Sequence, residues 1–128
     1  MTTDSPRGSV ERMFEAFGKG NLDALLETVH PESRWTYVGA NPRLAKGVFV
    51  GRDGVRKFFE GILRNLTIDF QPAEFVTESD TVVVFGSESG TVNATGQPFR
   101  NEWAMKYVVR DGLITEMAEY NVQVEPKS

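Results

Sequence analysis

Phe99-Arg100-Asn101-Glu102-Trp103-Ala104-Met105-Lys106-Tyr107-Val108-Val109, then Arg110-Asp111-Gly112 and the run from Leu113 to Val122, is the stretch that decides the fold. Phe99, Trp103, Met105, Tyr107 and Val109 fall on one parity, with Arg100, Glu102 and Lys106 on the other. A repeat of two is the signature of a half-buried strand, because successive side chains point to opposite faces. Asp111-Gly112 supplies the positive-φ residues of a two-residue hairpin turn, so Leu113 to Val122 is expected to return antiparallel beside the first run. On the return strand Leu113, Met117, Glu119 and Asn121 are expected to share the inner face. An acid among apolar neighbours is the starting point for any functional argument.

Working outward, the chain ahead of this hairpin reads as helical and then β-rich. Residues 1–8 are polar and contain Pro6 and Gly8, which suggests a disordered lead-in. Val10, Met13, Phe14 and Phe17 recur at helical spacing before Gly18 and Gly20. Asn21 is a good N-cap for a second helix over 22–29, with His30-Pro31 as its expected end. His30, at that helix terminus, reads as structural. Arg34 to Val38 predicts a strand. Residues 39–51 read mostly as loop and as the rim or lid of a cavity. Gly51-Arg52-Asp53-Gly54 launches a third helix with an apolar stripe of Val55, Phe58, Phe59, Ile62, Leu63 and Leu66. Strands are predicted over 68–76 and from Thr81, joined at Glu78-Ser79-Asp80. Gly86, Gly90 and Gly96 leave the facing of Glu88 open between the two sides of the sheet.

The predicted class is therefore α+β. A strongly curved antiparallel sheet would carry three helices on its concave side and enclose a conical pocket. The expected organisation is one domain over 9–123, with 124–128 as a loose tail.

Composition narrows the chemistry. The 128 residues include no cysteine and one histidine, so disulfides, thiolate-bound metals and multi-histidine metal sites are excluded. Neither a cofactor nor a metal is expected. A net charge of −4 argues against a nucleic-acid groove, which needs a surplus of Lys and Arg. No apolar run approaches the ~20 residues of a membrane span, and a cytoplasmic location is expected.

Several phrases in order carry a resemblance: Val29-His30-Pro31-Glu32 before Trp35, Gly51-Arg52-Asp53-Gly54-Val55 before Phe58-Phe59, and Val109-Arg110-Asp111-Gly112-Leu113-Ile114 leading to Glu119-Tyr120-Asn121. Together they resemble the SnoaL-like branch of the nuclear transport factor 2-like superfamily. That superfamily also contains ketosteroid isomerases, limonene epoxide hydrolase and polyketide cyclases. The likeness implies the conical fold, but it does not choose a reaction, since one fold hosts many. It places Glu119 where the epoxide hydrolase has a water-activating acid, with Trp35 and Tyr37 where that enzyme holds the water. Gly86-Ser87-Glu88-Ser89 lacks the arginine such a hydrolase needs, and Tyr37 and Met105 stand where the isomerase has acids.

Glu119 and Tyr37 are thus the candidate catalytic pair. Glu119 would move a proton or activate water, and Tyr37 would polarise a substrate oxygen. Trp35, Phe58, Phe59, Trp103, Met105 and Met117 would wall the substrate, Trp35 and Trp103 each with an indole donor. Asn101 and Asn121 would orient a ligand oxygen. For each there is a plainer reading as satisfied core, so two functions stay open. One is a cofactor-independent isomerase, cyclase or hydrolase for a small hydrophobic oxygen-bearing compound. The other is a non-catalytic ligand-binding module or dimerisation scaffold. In either case a homodimer is expected through the convex face, where Ala104, Val108, Ile114, Ala118 and Val122 are more apolar than solvent requires.

Overall fold

The computed structural model describes residues 5–39 and 47–124. Helix α1 spans Pro6–Gly18, α2 Leu22–Glu27 and α3 Gly51–Asn65. The strands are β1 Val29–Val38, β2 Gly47–Val50, β3 Leu66–Glu78, β4 Thr81–Val92, β5 Pro98–Arg110 and β6 Leu113–Gln123. They form one curled, unclosed sheet in the order β2-β1-β6-β5-β4-β3. The α+β class is as expected. The sheet is mixed rather than wholly antiparallel, because β1 runs parallel to β6.

Local chemistry accounts for the element boundaries. Ser5 Oγ accepts from the Gly8 amide and Pro6 occupies the first turn, so α1 begins inside the segment expected to be disordered. Asn21 Oδ1 caps α2 through the Ala24 amide. That helix stops at Thr28, and His30 and Pro31 belong to β1 rather than to a helix end. His30 Nδ1 accepts from the Glu32 amide at 3.0 Å. Val48, Phe49 and Val50, expected within a loop, pair antiparallel with Arg34, Trp35 and Thr36 of β1. The remainder of the expected lid, residues 40–46, lies outside the described residues. Two of the α3 cations are tethers rather than a plain solvated face. Arg52 donates to the Val29 carbonyl at 2.8 Å, and Arg56 to Asp23 of α2 at 2.7 Å.

The β5–β6 hairpin turns on Asp111 and Gly112 at φ 52° and 78°, as the dipeptide requires. Beyond the turn one detail differs from simple alternation. Val108 pairs with Glu116 but Val109 with Ile114, so Thr115 is an extra residue, and its hydroxyl donates to the Val108 carbonyl at 3.2 Å. This bulge reverses the parity at the start of β6. Ile114, expected outside, is fully buried, and Leu113, expected inside, is half-buried. From Met117 onward the inner parity is the expected one. A second irregularity lies on β3, where Ala73 is unpaired between Pro72 and Glu74. β4 therefore keeps its alternation through its glycines. Gly86 is needed for another reason: a Cβ there would lie 2.5 Å from both the Gln71 carbonyl and the Trp103 ring.

The core lies between the inner sheet face and the helices. Val10 and Met13 of α1, Val55, Phe58, Phe59 and Ile62 of α3, and Val82, Val84, Trp103, Met105, Tyr107 and Met117 of the sheet are buried in one cluster. Its floor is polar, for Glu88, Asn101, Glu119 and Asn121 are buried on the same inner face.

Candidate functional site

β6 carries Glu119 two residues past Met117, so strand alternation alone sends both inward. Glu119 sits in register between Met105 of β5 and Tyr37 of β1. Tyr37, Met105, Met117 and Glu119 all line one cavity, together with Trp35, Phe58 and Phe59. The remaining wall comes from Met13, Phe14 and Phe17 of α1, Ile62 of α3, Ile68 and Phe70 of β3, Tyr107 of β5 and Glu88 of β4. Catalytic and wall candidates from the hairpin, β1 and α3 thus converge on one space.

That space is much smaller than the open cone expected. It measures about 30 Å³, room for a water or two, where pockets for drug-sized ligands are on the order of 300–1,000 Å³. Aromatic rings account for the difference. Phe14 and Phe17 each meet Phe70 edge-on at centroid separations of 5.2 and 5.5 Å, and Phe17 lies 5.5 Å from Phe59. On the far side of these rings a surface groove of about 600 Å³ runs between the end of α1, the end of α3 and β3. Phe14, Phe17, Ile62, Ile68 and Phe70 line both spaces, so they form the partition between cavity and groove.

Three expected wall or ligand residues take other roles. Trp103 stacks flat on Phe70, with centroids 4.8 Å apart and planes at 7°, and it does not line the cavity. Asn101 and Asn121 stand behind the acids. Asn101 Nδ2 donates to Glu88 Oε2 at 2.9 Å, and Asn121 Nδ2 to Glu119 Oε2 at 3.1 Å and to Glu88 Oε2 at 3.3 Å. Buried carboxylates attract these amides because each would otherwise lack donors. Trp35 keeps its place in the wall, but its indole N–H is used by Ser33 Oγ at 2.8 Å, so the expected donor is already engaged.

Glu88, whose facing the glycines left open, is buried and lines the cavity. Counting by twos from Val82 and Val84 leads to it, and the register holds because the neighbouring bulge lies on β3. Tyr107, placed by the sequence only on the parity of Trp103 and Met105, also lines the cavity, and its hydroxyl donates to Met105 Sδ at 3.0 Å.

Electrostatics follow from this burial. Desolvation pushes the Glu119 carboxyl from 4.5 up to about 8, with the Asn121 amide opposing and the charge of Glu88 adding. Burial raises Glu88 as well, against the donors Asn101 and Asn121. Desolvation, then the nearby Glu119, holds the Tyr107 phenol protonated well beyond its usual range. Among the described residues no cluster of His, Cys, Asp or Glu has the makings of a metal site. The site is therefore two carboxyl groups facing an apolar cavity, Glu88 with two amide donors behind it and Glu119 with one, which they share.

A profile of the SnoaL-like domain matches residues 10–117. The chain belongs to the SnoaL-like domain family. No curated protein matches it by sequence. Among solved structures, a nuclear transport factor 2-like protein from Burkholderia xenovorans LB400 is similar at 26% identity and TM-score 0.82, covering 94% of this chain and 92% of its own. IdmH from Streptomyces antibioticus, a proposed polyketide cyclase, aligns at 22% identity and TM-score 0.78, with 92% of each chain covered. A protein of ketosteroid isomerase-like fold from Catenulispora acidiphila, solved with trimethylamine, aligns at 15% and 0.76, covering 91% and 86%. At these identities IdmH and the Catenulispora protein establish the fold of this SnoaL-like chain and leave its chemistry to its own residues.

Proposed function

We propose that this SnoaL-like protein is a cofactor-independent enzyme that moves protons on a small, hydrophobic, oxygen-bearing compound. Isomerisation, cyclisation and hydrolysis are the reactions such a step serves. The observation that supports this most is Glu119: a carboxyl buried against Met105, Met117 and Tyr37, facing the cavity, and raised to about 8. A desolvated carboxyl of this kind is a stronger base than one in water, and near neutral pH it is also available as an acid. Tyr37, its register neighbour, would polarise the substrate oxygen. Trp35, Phe58, Phe59, Met105 and Met117 would exclude water. Entry would displace the rings of Phe14, Phe17 and Phe70 that divide the cavity from the outer groove. The proposed cyclase role of IdmH and the small amine bound by the Catenulispora relative lend support by analogy.

The chain is also proposed to act as a cytoplasmic homodimer joined through the outer sheet face. Among the described residues no helix is long and apolar enough to cross a membrane.

The small cavity favours one other reading, in which the acid cluster is an internal polar floor and the fold binds a ligand without changing it. Exchange of α-protons separates the two without knowledge of the natural substrate. In D2O, 2-tetralone is expected to lose its α-protons faster with the protein than with buffer. The protein-dependent rate should rise as pH approaches about 8 and disappear in Glu119→Gln. Equal exchange by the wild type and E119Q would overturn the catalytic reading, and saturable binding without exchange would favour the ligand-binding one.

A further inference from the structure

Glu88 has no part in the mechanism above, yet it faces the same cavity as Glu119 and hangs from the same amide nitrogen. Asn121 Nδ2 reaches Oε2 of both acids, so these two oxygens are neighbours across a single donor. If both carboxyls were ionised, the cluster of Glu88, Glu119, Asn101 and Asn121 would hold acceptor oxygens far in excess of its donors, which come from two side-chain amides. Asn121 Oδ1 is itself buried with no hydrogen-bond partner within the described protein. One added proton relieves both the like-charge repulsion and the shortage of donors. A second proton would leave neither carboxyl ionised and so no base in the pair.

We infer that Glu88, Asn121 and Glu119 form one proton-sharing unit, in which the two carboxyls hold a single proton between them near neutral pH and Glu88 sets the charge on Glu119. This rests on the reading of Glu119 as the proton-handling group and extends it with a positioning residue. The other titratable groups facing the pair are the phenols Tyr37 of β1 and Tyr107 of β5. The cavity faces of α1, α3 and β3 contribute Met13, Phe14, Phe17, Phe58, Phe59, Ile62, Ile68 and Phe70, none of which ionises. No cation among the described lining residues competes for the charge. The same fact narrows the guest: a neutral carbonyl or hydroxyl compound suits the unit, and a carboxylate-bearing analogue is repelled by it.

Carboxyl carbon NMR on protein labelled with 13C-glutamate tests the pairing without any substrate. The wild type is expected to show two titration steps separated by more than about one pH unit, as coupled sites do. In Glu88→Gln, where the new amide keeps an oxygen for Asn101, the Glu119 step should move down by at least about one unit. An unchanged Glu119 step in E88Q, or two acids in the wild type titrating together in the ordinary range, would overturn the inference. The tetralone assay separates this outcome from failure of the parent reading. Wild-type exchange that E88Q reproduces in rate and pH profile leaves Glu119 as a base and removes Glu88. Absent exchange with coupled titration removes the enzyme and keeps the shared proton. Where E88Q does not fold, the two wild-type steps decide by themselves.

Discussion

Glu119 links the site to the stability of the whole protein, and the sign of that link is unusual for a carboxyl. In the unfolded chain it releases its proton near 4.5; in the folded chain it keeps it to about 8. Between those values the folded state holds a proton that the unfolded state has lost, so raising the pH favours unfolding. The stabilising preference is complete below the lower value and is lost by the upper one, with a slope of roughly 1.4 kcal/mol per pH unit. Thermal melts from pH 5 to 8 should show Tm falling for the wild type and a shallower fall for Glu119→Gln; parallel curves would contradict the assignment. Glu119 was legible in the sequence because period two fixes its face as soon as Met117 is placed. Glu88 was not, since Gly86 and Gly90 admit a register shift and nothing in the string reveals that the bulge falls on the partner strand at Ala73. The tasks of Asn101 and Asn121 were equally hidden, because they depend on which acid each amide meets first.

Among the elements, α1 and β3 supply most of the side chains shared by the cavity and the outer groove. Phe14 and Phe17 of the helix and Phe70 of the strand stand between a cavity of about 30 Å³ and a groove of about 600 Å³. Each edge-to-face pair adds about 0.5–1.5 kcal/mol beyond its buried area, so the partition is firm without being permanent. Phe17→Ala removes contacts with Phe59 and Phe70 together. It should cost on the order of 2 kcal/mol, less than a fully buried phenylalanine because Phe17 is only half-buried. It should also speed the uptake of 2-naphthol, measured by stopped-flow fluorescence; an unchanged uptake rate would mean that guests enter elsewhere. The order of the elements and the hairpin were readable from periodicity and turn chemistry. The filled cone was not, since its volume depends on how rings from five elements interlock. The ends of α2 and β1 also escaped, because Pro31 sits comfortably in a strand whose pairing with β6 is displaced there.

At the scale of the whole molecule, the outer sheet face is the proposed place for a second copy. Val38, Tyr120, Ala104 and Phe85 occupy linked register positions across β1, β6, β5 and β4, and three of them are large and exposed: Val38 at 52%, Tyr120 at 55% and Phe85 at 44%. Val122, at 63%, extends the patch. The bulge at Thr115 takes Ile114 out of the face expected from alternation, while Phe85 and Tyr120 add to it. A contiguous apolar strip of this kind is characteristic of an interface. Light scattering at micromolar concentration should give a dimer for the wild type and a monomer for the Phe85→Glu, Val122→Glu double variant. A monomeric wild type would rule the interface out.

The parallel contact of β1 with β6 carries a consequence for assembly. Tyr37 reaches Glu119 only when an early strand docks on the last one, after the β5–β6 hairpin is available to receive it. Contacts so distant along the chain close slowly, since the intervening loop must lose its freedom first. The proposed site would consequently be a late product of folding: a chain stalled before that docking would possess helices and a hairpin, yet lack the pairing that sets Tyr37 beside Glu119.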